Sequence, residues 1–143
     1  MTIYRYHGKT DHFYTHNWYE VGTKDVGATG HHGYKTQGIA FRMEPTQVAG
    51  SVPLYRYWNA KWWDHFYTTN WNTIAWNGKT GNHGFIYEGV AGFCFPSQKA
   101  GTVPLYRYFH GGVMDHYYTT DARVLGTGRH GWHYEGVECY VYP

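Results

Sequence analysis

Val52-Pro53-Leu54-Tyr55-Arg56-Tyr57 returns letter for letter as Val103-Pro104-Leu105-Tyr106-Arg107-Tyr108, and its second half stands near the start of the chain as Tyr4-Arg5-Tyr6. A motif that recurs at a constant interval of a few tens of residues decides the architecture before single-residue propensities do. A second block follows each time: Asp11-His12-Phe13-Tyr14-Thr15, Asp64-His65-Phe66-Tyr67-Thr68 and Asp115-His116-Tyr117-Tyr118-Thr119. A third block begins Thr29-Gly30, Thr80-Gly81 and Thr127-Gly128 and runs on into Gln37-Gly38-Ile39, Glu88-Gly89-Val90 and Glu135-Gly136-Val137. Length differences fall between the blocks, which marks those intervals as loops. The 143 residues therefore read as one domain with three internal copies, approximately 1–49, 50–100 and 101–143.

Within a copy the strand signals are short alternating runs of Tyr, Phe, Val and Thr bounded by Gly, Pro and Asn. In the second copy they predict four strands, over 54–58, 65–69, 84–87 and 92–95. Asn70 is placed to cap at most one helical turn before Trp76. Three such units predict an all-β fold, a β-trefoil with threefold internal repeat, in which six strands close a barrel and six cap it. A three-sided β-prism is the alternative. A linear array is disfavoured because no copy is a distinctive cap.

Composition adds exclusions. Aromatic residues make up 21% of the chain, sixteen of them Tyr, against 15% charged residues, while mean hydropathy stays negative. The apolar surface therefore sits in rings with polar tips, suited to a half-wet sheet or to stacking on a flat ligand. The net charge of +2 comes from twelve scattered basic residues, so a phosphate backbone finds no cationic stripe, and nucleic acid is not an expected partner. No apolar run approaches the ~18 residues of a membrane span, so no membrane insertion is expected. Eleven His imply that ligand affinity varies with pH near 6.5. Cys94 and Cys139 are not at matching positions, and their pairing is left open. A leader is not visible at the N-terminus, which implies a cytoplasmic or non-classically secreted protein if the chain is complete and a secreted one if a leader was removed.

The blocks resemble a widespread tandem-repeat family of unknown function whose members read roughly PLYRxYN, DHFYTT and GYxYEGVAGYVYP and are often appended to secreted bacterial hydrolases. The resemblance covers nearly the whole chain and is carried by Pro53 to Tyr57, Asp64 to Thr69 and Tyr87 to Gly92, with close counterparts in the third copy. The first copy departs from it, with Thr36-Gln37 in place of the Tyr-Glu pair, so a site built on the Glu is altered there. The Gln-x-Trp signature of ricin-B lectins is absent. Attachment to hydrolases implies a substrate-anchoring role, and for extracellular enzymes that means glycans.

The candidate site residues follow from chemistry repeated in each copy. Arg5, Arg56 and Arg107 sit between two Tyr and require a paired acid if they are buried, with the Asp or Glu of the same copy as the natural partner. Asp11, Asp64 and Asp115 with His12, His65 and His116 form pairs able to bind vicinal hydroxyls, or to tie down turn amides. Alternation puts Asp and His on opposite faces, so that one of each pair is expected outside. His32, His83 and His130 precede a Gly at a turn where a positive φ is expected. Asn17-Trp18 and Asn70-Trp71, replaced by Asp121-Ala122 in the third copy, offer an indole for stacking on a pyranose or for plugging the barrel end. Trp58, Trp62, Trp63 and Trp76 make the second copy richest in indoles. The expected function is a non-catalytic lectin with up to three related sugar sites binding glycans or glycoconjugates, with no metal and no cofactor. A protein-interaction module or protease inhibitor is the alternative.

Overall fold

The computed structural model describes residues 1–75 and 81–143; the expectations placed on Trp76 and Thr80 lie outside the described residues. Among the described residues nine strands form three three-stranded antiparallel sheets, one from each copy. The first contains β1 (Thr2–Gly8), β2 (Asp11–Thr15) and β3 (Lys35–Arg42). The second contains β4 (Val52–Asn59), β5 (Asp64–Thr68) and β6 (Ile86–Cys94). The third contains β7 (Val103–His110), β8 (Asp115–Thr119) and β9 (Trp132–Val141). In every sheet the Tyr-Arg-Tyr strand is central, with its hairpin partner on one side and the long third strand on the other. Among the described residues the only helical elements are single 3-10 turns, and no helix is long and apolar enough to cross a membrane.

Among the described residues each copy thus has three strands where the sequence predicts four. The expected third and fourth runs of the second copy are one strand, β6, interrupted by bulges. Tyr57 pairs with Tyr87 and Arg56 with Gly89, which leaves Glu88 as the extra residue. Gln37 and Glu135 are extra at the same place in β3 and β9. The following Gly38, Gly89 and Gly136 have φ of 96°, 111° and 109°, a region that side-chain-bearing residues avoid. The Gln/Glu-Gly motif is therefore a bulge that re-aims one side chain without ending the strand. A second bulge leaves Ala40, Ala91 and Glu138 as extra residues.

The sheets meet around an axis. Tyr14, Tyr67 and Tyr118, each at most 2% exposed, pack edge to face with one another at 5.3–5.5 Å. Each hydroxyl bonds to the backbone of another copy. Tyr67 accepts from the Tyr14 N–H and donates to the Tyr14 carbonyl. Tyr118 does the same for Tyr67, and Tyr14 for Tyr118. A tyrosine here supplies one donor and one acceptor to a pair of backbone groups that water cannot reach, so the ring closes with these groups satisfied. Ile3, Phe41, Met43, Leu54, Leu105 and Val141 extend this shared core, and smaller clusters such as Tyr57, Phe66, Ile74 and Phe85 lie within each copy. Single-residue bridges, Arg42 to Tyr142, Glu44 to Phe93 and Phe95 to Tyr140, link the ends of the long strands. Cys94 and Cys139, both buried, form a disulfide between the second and third copies.

Candidate functional site

The Asp-His blocks act between copies. Asp11 accepts from the backbone N–H of His65 and meets its Nδ1 at 2.5 Å; Asp115 does the same with His12 at 2.5 Å and Asp64 with His116 at 2.7 Å. Neither member of a pair is outside, contrary to the alternation argument: the three Asp are at most 1% exposed, and the His are buried or half-buried. The reason is that β2, β5 and β8 have protein on both faces. On β2 the Asp11 and Phe13 face meets His65 of the second copy, and the opposite face, with His12, meets Asp115 and Tyr117 of the third.

The carboxylates of Asp11, Asp64 and Asp115 converge, with an oxygen of each within 4.8 Å of the others. Burial, reinforced by the charge of Asp11, pushes the Asp64 carboxyl up to about 8. Burial also raises Asp115, although His12 opposes the rise. Like charges in a dry site hold a proton more tightly. Burial drives His116 down to about 4, so burial works against charge on both members of the Asp64–His116 pair. His65 moves the other way: burial lowers it, but Asp11 and Glu88 outweigh that effect and raise it.

With Nδ1 turned to the axis, each imidazole turns its other edge outward to a cleft at the junction of two copies. Between the first and second copies this cleft is about 360 Å³, and its walls include Phe13, Tyr34, Trp58, Trp63, His65 and Glu88. Its counterpart between the second and third is about 240 Å³, with Trp62, Phe66, Phe85, Phe109, His116 and Glu135. The one between the third and first is about 230 Å³, with Arg5, His12, Gln37, Tyr117, Val124 and Trp132. The three share a plan. An aromatic ring of one copy (Phe13, Phe66 or Tyr117) lies against the His of the next, at centroid distances of 4.2, 4.7 and 4.8 Å. The Arg of that next copy lies over the same ring at 5.0–5.1 Å.

The bulge determines where the Arg goes. Arg56 Nε donates to Glu88 at 3.0 Å and Arg107 Nε to Glu135 at 2.8 Å, while Arg5 Nε donates to Gln37 at 2.7 Å. The same-copy partner expected for Arg56 and Arg107 is therefore the bulged Glu. A second acid completes each pair. Glu20 of the first copy takes both terminal nitrogens of Arg56, and Glu138 takes Nη1 of Arg107 at 2.7 Å. His65 Nε2 is 3.2 Å from Glu88, and Glu88 is lowered because His65 and Arg56 outweigh its burial.

Of the residues singled out in sequence, His12, His32, His65, His83 and His116 line the clefts. Asp11, Asp64 and Asp115 stand behind them on the axis. The others are elsewhere. Asn17, Asn70 and Asp121 use their side-chain oxygens to cap 3-10 or turn segments, accepting from Tyr19, Asn72 and Arg123 N–H groups. Trp71 folds back onto Tyr55, Tyr57 and Tyr87, at 5.0, 6.1 and 5.0 Å. Trp18 stacks on Tyr19 at 4.0 Å. His130 does not line the third cleft, although its φ of 55° matches those of His32 and His83, 59° and 61°. Trp58 and Trp63 face the first cleft and Trp62 the second, so these three indoles divide between two junctions. Tyr34, Phe85 and Trp132, which follow the His-Gly turns, were not singled out in sequence; the shared turn ahead of an aromatic was the available signal.

Residues 2–142 match the family model described as Domain of unknown function (DUF5648). The chain belongs to this family. The match runs across all three sheets and every junction, so the clefts fall within the DUF5648 domain. Neither curated proteins nor solved structures gave a match.

Proposed function

We propose that this DUF5648 chain is a non-catalytic carbohydrate-binding protein with three related sites, one at each junction between copies. The first cleft carries the reading. Its flat apolar faces, from Tyr34, Trp58 and Trp63, stand beside the imidazole edge of His65 and the carboxylates of Glu20 and Glu88. Aromatic faces suit the C–H surface of a pyranose, while His and carboxylate groups suit its hydroxyls. Drug-sized ligands occupy clefts of roughly 300–1,000 Å³, so the site is of mono- or disaccharide scale. Binding without catalysis is the reading because Glu20 and Glu88 are both engaged by Arg56, and Asp64 lines none of the three clefts. Up to three sites on one body would raise avidity for a glycan-coated surface by roughly 10² to 10⁴.

Either a trefoil or a three-sided prism would present three equivalent junctions. Sheets that each contain one copy, with the first strand in the middle, support the prism more than the trefoil. A second functional reading, a protein-interaction module or protease inhibitor, draws on Ile39, Val90 and Val137. These are exposed apolar residues at matching points of the three long strands. A glycan array run beside a protease panel separates the two. Binding to defined glycans that falls on Trp63→Ala supports the first reading; protease inhibition with an empty glycan array overturns it.

A further inference from the structure

The three clefts differ most in charge. Around Arg56 stand Glu88 and Glu20, and around Arg107 stand Glu135 and Glu138. Each of these acidic positions has a counterpart around Arg5, and none of the counterparts is acidic. Gln37 stands where the other copies have the bulged Glu88 and Glu135. Val124 stands three residues after Asp121, as Glu20 stands three after Asn17. Ala40 stands at the second bulge, where the third copy has Glu138.

Arg5 keeps two neutral partners. Its Nε donates to the Gln37 side-chain oxygen at 2.7 Å and its Nη1 to the Tyr117 hydroxyl at 2.8 Å. Among the described residues it has no carboxylate within salt-bridge distance, and its Nη2 has no hydrogen-bond partner. Arg5 also lines its cleft, whereas Arg56 and Arg107 do not line theirs. A half-buried guanidinium gains most from an anion that presents two oxygens to its planar fork.

We propose that the cleft between the third and first copies binds a carboxylate-bearing sugar, with Arg5 as the ligand for the carboxylate. The other copies supply the template: the ligand's carboxylate stands against Arg5 where Glu20 stands against Arg56 Nη2, 3.1 Å away. Tyr117 and Trp132 supply the apolar walls against which the sugar ring lies, and His12 is the polar group beside them. The other two clefts, whose arginines already hold two carboxylates each, repel the same ligand and take neutral sugars. The assignment rests on the carbohydrate reading for its sugar and on Arg5 alone for its charge.

The test is titration of methyl β-glucuronide and methyl β-glucoside into the ¹⁵N-labelled protein, following the Arg5 Nε–H and Trp132 indole resonances. Glucuronide is expected to shift both with an affinity that weakens as salt is raised, and glucoside to leave Arg5 unmoved. Gln37→Glu restores the pairing found around Arg56 and is tolerated there by the same fold; it is expected to weaken glucuronide binding at least tenfold. Unchanged glucuronide affinity in Gln37→Glu, or glucuronide shifts confined to the other clefts, overturns the proposal. If neutral glycans bind and glucuronide does not, the anion site falls while the carbohydrate reading stands. If glucuronide and plain acetate bind alike at Arg5 and no neutral glycan binds anywhere, the anion site stands and the carbohydrate reading falls.

Discussion

Removing one oxygen atom from the tyrosine ring on the axis gives a direct test of what joins the copies. Tyr67→Phe keeps the aromatic ring and its edge-to-face packing on Tyr14 and Tyr118. It deletes the hydroxyl that accepts from the Tyr14 N–H at 2.8 Å and donates to the Tyr14 carbonyl at 2.6 Å. Both backbone groups are then left in a dry core. An orphaned buried polar group costs about 1–3 kcal/mol, so the variant should lose about 2–5 kcal/mol. For a domain of this size that corresponds to a fall in Tm of roughly 5–15 °C. Urea unfolding followed by tryptophan fluorescence measures the loss. Tyr6→Phe is the control, because the Tyr6 hydroxyl, on an equally buried ring, makes one bond, to the carbonyl of half-buried Thr23; it should cost about 1 kcal/mol. If Tyr67→Phe costs no more than Tyr6→Phe, the ring does not hold the copies together in the way described.

Acidification should raise stability from about pH 8 to about pH 6.5. Asp64, raised to about 8, gives a contribution that is complete below its unfolded value and is lost as pH climbs through 8; Asp115 and His65, also raised, add in the same direction. Below about pH 6.5 the gain should level off, because His116, lowered to about 4, loses its contribution as pH falls toward 4. Urea midpoints across this range check both limbs, and Asp64→Asn should flatten the upper one; a midpoint that rises with pH between 6.5 and 8 would contradict the assignment. Ala122→Trp should fill the cavity of about 320 Å³ bounded by Tyr106, Tyr108 and Tyr134, the counterpart of the slot that Trp71 occupies. We expect a stabilisation of about 0.5–2 kcal/mol, read as a rise in urea midpoint. Reducing the Cys94–Cys139 bond, which closes a 45-residue separation, should cost about 3–4 kcal/mol by chain entropy, measurable by thermal unfolding with and without reductant. Trp63→Ala should weaken a neutral glycan in the first cleft by about 1–3 kcal/mol by analogy with ring stacking on bases, with the melting curve little changed.

The sequence displays the three copies, the all-β class and the need to pair Arg56 and Arg107, because each of these is a local pattern or a local charge problem. It does not display which copy supplies a partner. A repeated Asp-His block satisfies its hydrogen bonds equally well on paper within a copy or across to the next, and only the closed ring of sheets selects the second arrangement. The same non-locality hid the clefts, whose walls come from two copies, and the Cys94–Cys139 pair, whose positions are not related by the repeat. The strand count missed for another reason. Gly89 in a run of strand residues reads as a break, yet its positive φ absorbs a bulge and lets β6 continue. Trp71 illustrates the opposite limit, since an indole after a strand carries no signal of whether it turns outward or back onto Tyr55 and Tyr87.

The cyclic handover of hydrogen bonds around the axis limits how such a molecule can arise and change. A solitary copy would leave an Asp carboxylate, a tyrosine hydroxyl and the backbone groups of its own axial residue without partners, so a peptide of that length would have to associate with two others to be stable. Once fused in one chain, the three copies are constrained together on the axis but released at the junction walls. There, Gln37 stands where the other copies have Glu88 and Glu135 while the bulge and the scaffold stay the same, so the junction walls can diverge one at a time.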